Sequence, residues 1–245
     1  MLKLQHLTKR FGGITAVDGC SLTVAPNTIT ALIGPNGAGK TTVFNLISGL
    51  IPPDTGSIEM DGQRLNAMAA HQRANCGIAR TFQAVRLFKN LTVEENLLLA
   101  AQPRDQRFLR CLTADRDDAS RQRIREVLRR VDFPKEPHTL AADLSYGSAK
   151  LLELARALVA PHRVLLLDEP VAGISPHLRD ALKSILRELQ RRGETILLIE
   201  HDMEFVFSLA ATVLVMNAGK VLRQGTPQEI QRDPEVLQAY LGGQL

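Results

Sequence analysis

Short apolar segments recur in the first and last thirds of the chain and alternate with stretches that have helical spacing. The segments with the length of buried strands are Thr28–Ile33, Ser57–Met60, Val164–Leu167 and Thr195–Ile199. A helix is predicted at Thr41–Leu50, directly after the first of these strands. A second helix is predicted from Ser175 and Pro176 to about Arg192, with Gly193 as its stop. Strands that alternate with helices in this way predict an α/β domain.

The middle of the chain follows a different pattern. No convincing strand is predicted from about Val85 to Ala160. Thr92-Val93-Glu94-Glu95 has the pattern of a capping box and predicts a helix start, and Ala119–Val131 and Ser148–Ala160 have helical spacing. We therefore expect a single domain over residues 1–245, with a core formed by residues 1–84 and 161–245 and a mostly helical subdomain inserted at about 85–160.

The composition is that of a globular protein with a substantial core. The chain has 245 residues, of which 44% are hydrophobic, and no run approaches the roughly 18 consecutive apolar residues of a membrane-spanning helix. Its first residues, MLKLQHLTKR, lack the apolar stretch of a secretory signal. Cys20, Cys76 and Cys111 are scattered and odd in number, which argues against disulfides or a zinc site and favours a reducing cytosol. Any association with a membrane is therefore expected to be peripheral.

The charge pattern gives little support to a nucleic-acid partner. The net charge is +4, and much of the excess lies in Gln102–Glu136, which holds ten Lys or Arg residues and seven Asp or Glu residues. Basic segments can bind nucleic acid. Here acidic residues are interleaved with the basic ones and aromatic residues are nearly absent, so a solvated helical face is the favoured interpretation. No nucleic-acid partner is expected.

A glycine-rich segment after the first predicted strand has the complete pattern of a phosphate-binding loop. Its residues are Gly34, Pro35, Asn36, Gly37, Ala38, Gly39, Lys40 and Thr41. Glycines allow consecutive backbone N–H groups to point at phosphate oxygens, and the following helix adds the positive end of its dipole. Lys40 is expected to reach the β- and γ-phosphates, and the Thr41 hydroxyl to bind Mg²⁺. Because all four fixed positions are present between a strand and a helix, a chance glycine-rich turn is disfavoured.

The strand Val164–Leu167 is followed by two carboxylates, Asp168 and Glu169. At the carboxyl end of a strand beside the phosphate loop, Asp168 is expected to hold Mg²⁺ through water. Glu169 is expected to orient or deprotonate the attacking water. An acid pair at the end of a strand is often structural, but here it accompanies a phosphate loop. The two motifs predict a nucleotide site, although kinases, switches and transport motors all share them.

A third motif, Leu144-Ser145-Tyr146-Gly147, lies about twenty residues before the acid pair and ahead of a helix predicted at Ser148. A serine hydroxyl, free N–H groups and the helix dipole converge at such a place and can bind another anion. Alone, the motif would be an ordinary helix N-cap. Its position between the two nucleotide motifs favours a role at the nucleotide.

These motifs, in this order, resemble those of the ATP-binding-cassette (ABC) ATPases over nearly the whole chain. That family carries a phosphate loop, a Q-loop glutamine, an LSGGQ-like signature, an acid-ended strand, a D-loop and a switch histidine. The corresponding parts here are Gly34–Thr41, Gln83, Leu144–Gly147, Val164–Glu169, Ala172–Pro176 and His201. The resemblance implies an α/β fold of the phosphate-loop NTPase class, with a RecA-like core, an antiparallel β subdomain and an inserted helical subdomain.

The resemblance also implies a mechanism. Two cassettes would pack head-to-tail, so that Ser145 and Gly147 of one act on the ATP bound to the phosphate loop of the other. Glu169, His201 and Gln83 would be the catalytic residues. His201 would contact the γ-phosphate, and Gln83 would sense Mg²⁺ and the attacking water.

The same resemblance implies the cofactors and their further contacts. The expected cofactors are ATP and Mg²⁺, with metal ligands Thr41, Gln83 and Asp168. Phe11 would stack on adenine, with a simple core phenylalanine as the alternative. Further nucleotide contacts are expected from Val17 and Thr42.

Several segments narrow the resemblance to the ATPases of branched-chain amino acid importers. They are Thr81–Phe88, Glu95–Leu98, Ala172–Pro176, Ile199–Met203 and Pro234–Gly242. Urea-importer and lipopolysaccharide-export ATPases are near relatives. The implied partners are two transmembrane permease subunits that dock a cytoplasmic helix near Gln83–Phe88, a second ATPase chain that is more often a paralogue than a copy, and, indirectly, an extracytoplasmic amino-acid-binding protein. The implied location is the cytoplasmic face of the inner or plasma membrane.

Two departures from the family pattern change the expectations. Ser148-Ala149-Lys150 stands where relatives usually have Gln-Gln-Arg, which weakens the expected grip of the signature on the partner's nucleotide. Ser175 replaces the usual asparagine of the D-loop, which would alter communication between the two sites. Hydrolysis is still expected, because no phosphate-contacting residue or catalytic acid is lost.

Two other functions leave more of the sequence unexplained. A soluble cassette ATPase of DNA repair or translation would usually carry tandem cassettes or long coiled-coil insertions, and this sequence has neither. A small-molecule kinase with the same phosphate loop would leave the signature and His201 without a role.

Overall fold

The computed structural model describes residues 1–101 and 118–241. Its strands are β1 (Leu2–Phe11), β2 (Ile14–Val24), β3 (Ile29–Ile33), β4 (Thr55–Met60), β5 (Gln63–Arg64), β6 (Ile78–Arg80), β7 (Val164–Asp168), β8 (Ile196–Ile199), β9 (Thr212–Asn217) and β10 (Lys220–Gly225). Its helices are α1 (Lys40–Ser48), α2 (Ala70–Asn75), α3 (Val93–Ala101), α4 (Asp118–Arg130), α5 (Tyr146–Val159), α6 (Pro176–Arg191), α7 (Met203–Leu209), α8 (Pro227–Arg232) and α9 (Pro234–Leu241). The predicted β3, α1, β4, β7, α6 and β8 are confirmed, with boundaries that shift by one or two residues.

A mostly parallel sheet forms the centre of the described structure. Within the described residues its strand order is β10-β9-β3-β8-β7-β6, and only the β9–β10 pair is antiparallel. All side chains of β3, β7 and β8 are buried, because both faces of a parallel sheet are covered. Successive residues point to opposite faces: Ile29 and Ile33 enter one core cluster, and Leu32 enters the other. This double burial explains the continuous apolar runs in the sequence.

An antiparallel sheet with the order β2-β1-β4-β5 packs on the same core. β1 and β2 form a hairpin in which Phe11 pairs with Ile14. Leu4 of β1 and Ile58 of β4 belong to the core cluster that also contains Leu166 of the parallel sheet. From the apolar pattern only β4 of this sheet was predicted, because the half-exposed β1 and β2 lack continuous apolar runs.

Helices α3, α4 and α5 lie between β6 and β7, as the helical spacing predicted. The capping box at α3 is confirmed: the Thr92 N–H donates to the Glu95 carboxylate at 2.7 Å, and the Glu95 N–H donates to the Thr92 hydroxyl at 3.2 Å. Each helix contributes apolar side chains, among them Leu97, Ile124 and Leu154, to the larger core cluster. The helices are therefore packed against the sheet and share its core.

The structure corrects the start of one helix and adds three strands to the parallel sheet. α5 begins at Tyr146 and not at the predicted Ser148, because the Ser145 hydroxyl caps it by accepting a hydrogen bond from the Ser148 N–H at 3.2 Å. Gly147 consequently lies inside the first turn. β6, β9 and β10 were not predicted: β6 has only three residues, and β10 is a partly exposed edge strand, whereas β9 has a clear buried run at Val213–Met216.

Three further expectations concern membrane-spanning helices, the cysteines and the basic stretch at Gln102–Glu136. None of the described helices is long and apolar enough to cross a membrane. Cys20 is buried and Cys76 is partly buried, and both are free thiols. Cys111, the other residues of 102–117 in the basic stretch, and Gly242 lie outside the described residues. The rest of the basic stretch includes α4, whose charged side chains are exposed or half-exposed and whose buried residues are apolar.

The C-terminus of α1 is held by a fully buried arginine. Arg73, in α2, is 1% exposed. Its guanidinium donates to the main-chain carbonyls of Leu46 and Ile47 in the last turn of α1, and to those of Asn66 and Met68. A cation at this end of a helix also meets the negative end of its dipole. Arg73 thereby fixes the helix that begins at the phosphate loop.

We predict that Arg73→Met lowers the free energy of unfolding by about 3 kcal/mol, because four carbonyl oxygens lose a charged donor while the side-chain volume is roughly kept. Guanidinium chloride denaturation followed by circular dichroism measures the change. Arg64→Met, at an exposed position, is the matched control and should change the stability by less than about 0.5 kcal/mol. Equal stability of the two variants would contradict the role given to Arg73.

Candidate nucleotide-binding site

The phosphate loop connects β3 to α1 and depends on its glycines. Gly34, Gly37 and Gly39 have φ values of 149°, 80° and 99°, which side chains rarely allow. A Cβ atom on Gly34 would lie 2.1 Å from the carbonyl oxygen of Met216 in β9. By contrast, apart from Gly37 and its two chain neighbours, no heavy atom of the described structure lies within 4 Å of a Cβ built on Gly37. The base of the loop is therefore packed against β9, and its tip, with the exposed Asn36, is open to a ligand.

The N-terminus of α1 has the features of an anion site. Its N-cap is Gly39, which has no side chain to accept hydrogen bonds from the first-turn N–H groups. These N–H groups and the positive end of the helix dipole are available to phosphate. Thr41 is exposed and Thr42 is half-buried in this first turn. The predicted Mg²⁺ ligand Thr41 is thus accessible.

Lys40 places a buried cation inside the curve of the loop. It is 6% exposed, and its ammonium donates to the carbonyls of Gly34 at 2.7 Å and Pro35 at 2.9 Å. Burial lowers the pKa of Lys40, and the negative charges of Glu169 and Asp168 oppose this effect. A triphosphate would bring further negative charge to this ammonium, so the loop fits a nucleotide phosphate.

Asp168, the last residue of β7, is anchored by a buried ion pair. It is 2% exposed, and its Oδ2 lies 2.9 Å from Nη2 of Arg80, at the end of β6. Arg80 also donates to the side chains of Asn45 and Ser48 in α1. In the described part of the chain, hydrogen bonds to this carboxylate involve Oδ2 alone. Oδ1 is therefore left as an oxygen ligand of the kind that Mg²⁺ prefers.

The donor set fits Mg²⁺ only together with a nucleotide. No group of three or more His, Cys, Asp or Glu side chains in residues 1–101 and 118–241 has the arrangement of a metal site. Protein-bound Mg²⁺ commonly has one or two protein oxygens and completes its shell with phosphates and water. A carboxylate oxygen of Asp168 and the Thr41 hydroxyl match that requirement.

Glu169, Gln83 and His201, the residues predicted to be catalytic, form one hydrogen-bonded cluster. Gln83 Nε2 donates to Glu169 Oε2 at 2.9 Å, and His201 Nε2 lies 2.9 Å from Glu169 Oε1. Gln83 follows β6, Glu169 follows β7 and His201 follows β8. Parallel neighbours bring their carboxyl ends to the same edge of the sheet. Residues 86 and 32 positions apart therefore meet at one carboxylate.

The backbone of Glu169 is held in an unfavourable conformation. Its φ is 49°, which costs a non-glycine residue about 1–2 kcal/mol. The Glu169 N–H donates to the carbonyl of Ile199 at 2.9 Å, and its own carbonyl accepts from the Ala172 N–H at 3.2 Å and from Lys150 Nζ at 3.1 Å. Such strain persists only where neighbouring groups hold it. These bonds fix the conformation in which the carboxylate reaches Gln83 and His201.

In the part of the chain that the structure describes, the signature residues Ser145 and Gly147 make no polar bond to the phosphate loop of their own chain. The Ser145 hydroxyl is bonded to the hydroxyl and the N–H of Ser148. Within the described residues, no hydrogen bond or ion pair joins Ser145 or Gly147 to Gly34–Thr41. A Cβ atom on Gly147 would lie 2.5 Å from Leu178 Cδ2. The signature is therefore packed against α6, and its role at a nucleotide stays a prediction.

Phe11 and Val17, the two nucleotide contacts expected from the β1–β2 hairpin, differ in their exposure to solvent. Phe11 is 48% exposed, with the Lys9 ammonium 5.6 Å from its ring centroid, so it is not a core residue and can accept a base. Val17 is fully buried in β2. Its assignment to the nucleotide stays a prediction, and its burial does not favour a side-chain contact. The neighbouring carbonyl of Ala16 supports the loop, since a Cβ on Gly39 would lie 2.3 Å from it.

Three residues that sequence analysis did not assign to the site support it. Arg80 anchors Asp168, Lys150 donates to Glu169, and Glu200 accepts hydrogen bonds from the N–H groups of Val171 and His201. Burial raises the pKa of Glu200, whose exposed fraction is 3%. Arg80 lies shortly before Gln83, and this position could have indicated a role at the site. The role was missed because the three-residue strand β6, which places Arg80 beside Asp168, was not predicted. Lys150 was noticed only as a departure from a family pattern.

Comparison with known proteins identifies relatives over the whole chain. Residues 17–172 match the family model described as ABC transporter, and residues 221–245 match the model described as branched-chain amino acid ATP-binding cassette transporter. The high-affinity branched-chain amino acid transport ATP-binding protein BraF of Pseudomonas aeruginosa is 41% identical over 251 residues, 99% of this chain and 98% of BraF. The sulfate/thiosulfate import ATP-binding protein CysA 2 of Chromobacterium violaceum is 40% identical over 235 residues, 95% of this chain and 60% of CysA 2.

A solved structure has the same fold. The crystal structure of a nucleotide-free ATP-binding cassette from an ABC transporter superposes with a TM-score of 0.86 at 29% identity, and the match covers 98% of both chains. The fold of the present chain is thus that of a phosphate-loop NTPase cassette.

We predict that Lys40→Ala weakens ATP binding by about 100-fold, or about 2.7 kcal/mol, because the phosphates lose a buried charged donor. Titration with a fluorescent ATP analogue measures the dissociation constant. Lys135→Ala, at an exposed position, is the control and should bind as the wild type does. If Lys40→Ala also retained wild-type affinity, Lys40 would not be a phosphate ligand.

Proposed function

The chain belongs to the ABC transporter family of ATP-binding cassettes, and we propose that it is the ATP-hydrolysing subunit of an importer for branched-chain amino acids. The cluster of Glu169, Gln83 and His201 is the observation that carries the catalytic part of the proposal. The match of residues 221–245 and the near-complete coverage of BraF support the cargo. Overall sequence identity does not distinguish this cargo from sulfate, because the sulfate/thiosulfate import protein CysA 2 is almost as similar to the chain as BraF is.

In this proposal, the phosphate loop holds the triphosphate before hydrolysis. Backbone N–H groups of the loop from Asn36 to Thr41, at the start of α1, bind the phosphate oxygens, and the Lys40 ammonium lies against the β- and γ-phosphates. Phe11 stacks on adenine. Thr41 and Asp168 would hold Mg²⁺, which would neutralise phosphate charge and orient the phosphates. Gln83 is the further predicted ligand.

Glu169 acts on the attacking water. Its carboxylate orients the water and accepts a proton from it, a role worth about 10²–10⁴ in rate. Gln83 and His201 hold the two carboxylate oxygens in place, so the geometry of the base is set before the water arrives. Lys40 and His201 stabilise the charge that develops on the transferred phosphoryl group.

We propose that a second cassette completes the site. Ser145 and Gly147 have no polar contact with the loop of their own chain among the described residues, which supports action on the nucleotide of a facing subunit. The second subunit is a copy or, as the resemblance favours, a paralogue. The pair would lie peripherally at the cytoplasmic face of the membrane.

A groove between the sheet and the helices is the proposed docking site for a permease. It has a volume of about 780 Å³ and is lined by residues that include Phe82, Arg86 and Phe88. Leu50, Phe88 and Leu99 expose 48%, 51% and 48% of their surface there. Exposed apolar side chains in a groove suit the apolar face of a helix. Two permease subunits would use the helical subdomain at about 85–160 in this way, and an extracytoplasmic binding protein would deliver the amino acid to them.

We predict that Glu169→Gln binds ATP with nearly wild-type affinity but hydrolyses it about 10²–10⁴ times more slowly, because the amide cannot accept the proton. Phosphate release measures the rate, and size-exclusion chromatography with ATP should detect accumulated dimers. Glu188→Gln, at a surface ion pair of α6, is the control. Unchanged turnover in Glu169→Gln would remove Glu169 from its assigned role.

The cargo is tested in the organism that carries the gene. Disruption of the gene should reduce uptake of labelled leucine, isoleucine and valine to the background of the strain, whereas uptake of urea and sulfate should not change. The wild-type gene should restore uptake, and the Glu169→Gln gene should not. Normal amino acid uptake with impaired urea or sulfate uptake would contradict the proposed cargo.

Complementation between two inactive variants tests the shared site. Lys40→Ala removes the loop cation, and Ser145→Asp keeps a good N-cap for α5 but places negative charge against the phosphate. Each variant alone should lose about 10²-fold in hydrolysis rate. A mixture should regain activity, because one pocket of the mixed dimer then combines an intact loop with an intact signature.

The reference for that experiment is a mixture of wild-type and Lys40→Ala chains, in which mixed dimers also have one intact pocket. The reference mixture also contains wild-type dimers, which have two intact pockets. With random pairing of equal amounts of chain, the two variants together are therefore expected to recover about half of the activity of the reference. No recovery from the two variants, with an active wild-type chain, would contradict a pocket shared by two copies.

A further inference from the structure

One face of α5 binds the backbone that follows β6 through three charged side chains. Lys150 Nζ donates to the carbonyl of Gln83 at 3.3 Å. One turn later, Glu153 accepts a hydrogen bond from the Phe82 N–H at 3.2 Å. Arg156, a further turn along, donates to the carbonyl of Arg86. Residues three apart lie on the same face of a helix, so all three side chains can reach the backbone of residues 82–86.

Lys150 differs from the other two because it also reaches the end of β7. Its ammonium donates to the main-chain carbonyl of Glu169 at 3.1 Å, and it is 8% exposed. The ring of Tyr146 lies 5.8 Å from the ammonium. One buried cation thus joins the carbonyls of the two residues whose side chains meet as Gln83 Nε2 and Glu169 Oε2.

The hydrogen bond from Lys150 to the Glu169 carbonyl supports an unfavourable backbone conformation. Glu169 is not a glycine, yet its φ is 49°, so its backbone requires external support. Among the described residues, the support for its carbonyl comes from the Ala172 N–H and from Lys150. The Ala172 bond is local to the turn, whereas Lys150 is anchored in a different element. Lys150 therefore ties the orientation of this peptide to α5.

We propose that Lys150 is a positioning residue for ATP hydrolysis, which holds the main chains of Gln83 and Glu169 so that the Glu169 carboxylate stays aimed at the attacking water. The inference rests on the proposed role of Glu169 and adds a residue to it. It also gives Lys150 a role within its own chain, in addition to its place in the signature segment that faces the partner. A lysine that only filled the core would affect stability and not the catalytic step.

The test separates catalysis from nucleotide binding. Lys150→Met keeps the length and apolar stem of the side chain and removes the ammonium. It should lower kcat for ATP by about 10- to 100-fold, because a small displacement of a catalytic group has that effect. The KM for ATP and the affinity for a fluorescent ATP analogue should change by less than about threefold, since the hydrogen bonds of Lys150 within the described residues go to Gln83 and Glu169 and not to the phosphate loop. Lys150→Arg, which keeps a cation with N–H donors, should recover part of the lost kcat.

A second readout does not depend on turnover. In hydrogen–deuterium exchange of the full chain, Lys150→Met should increase exchange in peptides that contain residues 82–86 and 169–172, and leave those of α1 unchanged. Lys135→Met, an exposed lysine of the same helical region, is the control for both measurements. If Lys150→Met does not fold, as judged by its melting temperature, Lys150→Gln replaces it.

The possible outcomes are distinct. Wild-type kcat in the folded Lys150→Met or Lys150→Gln protein would overturn the inference, as would a loss of ATP affinity equal to the loss of kcat. A wild-type chain without ATPase activity, or unchanged turnover in Glu169→Gln, would instead overturn the proposed function. Three results together would support the inference about Lys150: a lower kcat with unchanged ATP affinity, partial recovery of kcat in Lys150→Arg, and faster hydrogen exchange in residues 82–86 and 169–172.

Discussion

The parallel register of β3, β8 and β7 is the constraint on which the nucleotide site depends. Leu32 pairs with Ile199, and Ile199 pairs with Asp168, so the phosphate loop, His201 and the acid pair leave the sheet at one edge. These strands are buried on both faces, and a slip of one residue would exchange the two sets of side chains. It would also separate Glu169 from His201. The fit of each set of side chains to its own core cluster therefore sets the register, and the register sets the site.

Around this edge, the polar groups hold one another in place through hydrogen bonds and ion pairs. Lys40 is held by two loop carbonyls, Asp168 by Arg80, and Glu169 by Gln83 and His201. Fixed dipoles and charges of this kind need little reorganisation during a reaction. The unfavourable φ of Glu169 belongs to the same arrangement, since local strain at a site must be maintained by surrounding bonds.

The helices and the sheet are connected at the site by charge as well as by apolar packing. The apolar core is continuous from α3, α4 and α5 to the sheet, and such packing is not directional. The bonds from Lys150, Glu153 and Arg156 to the backbone of residues 82–86 are directional. Two of these side chains, Glu153 and Arg156, also line the groove proposed for the permease, as does Phe82. A partner in that groove would act on the same backbone that positions Gln83.

Local patterns were enough to predict the phosphate loop, the acid pair, the capping box at Thr92 and the buried strands β3, β7 and β8, because each depends on residues close together in the chain. They also supported the family. The half-exposed hairpin, the short strand β6 and the start of α5 were not predicted, since their stability comes from pairing and capping within the fold. The contacts of the site come only from three-dimensional packing: Gln83 lies 86 residues from Glu169, and Arg80 lies 88 residues from Asp168. Strand order creates such contacts, and no periodicity in a sequence encodes strand order.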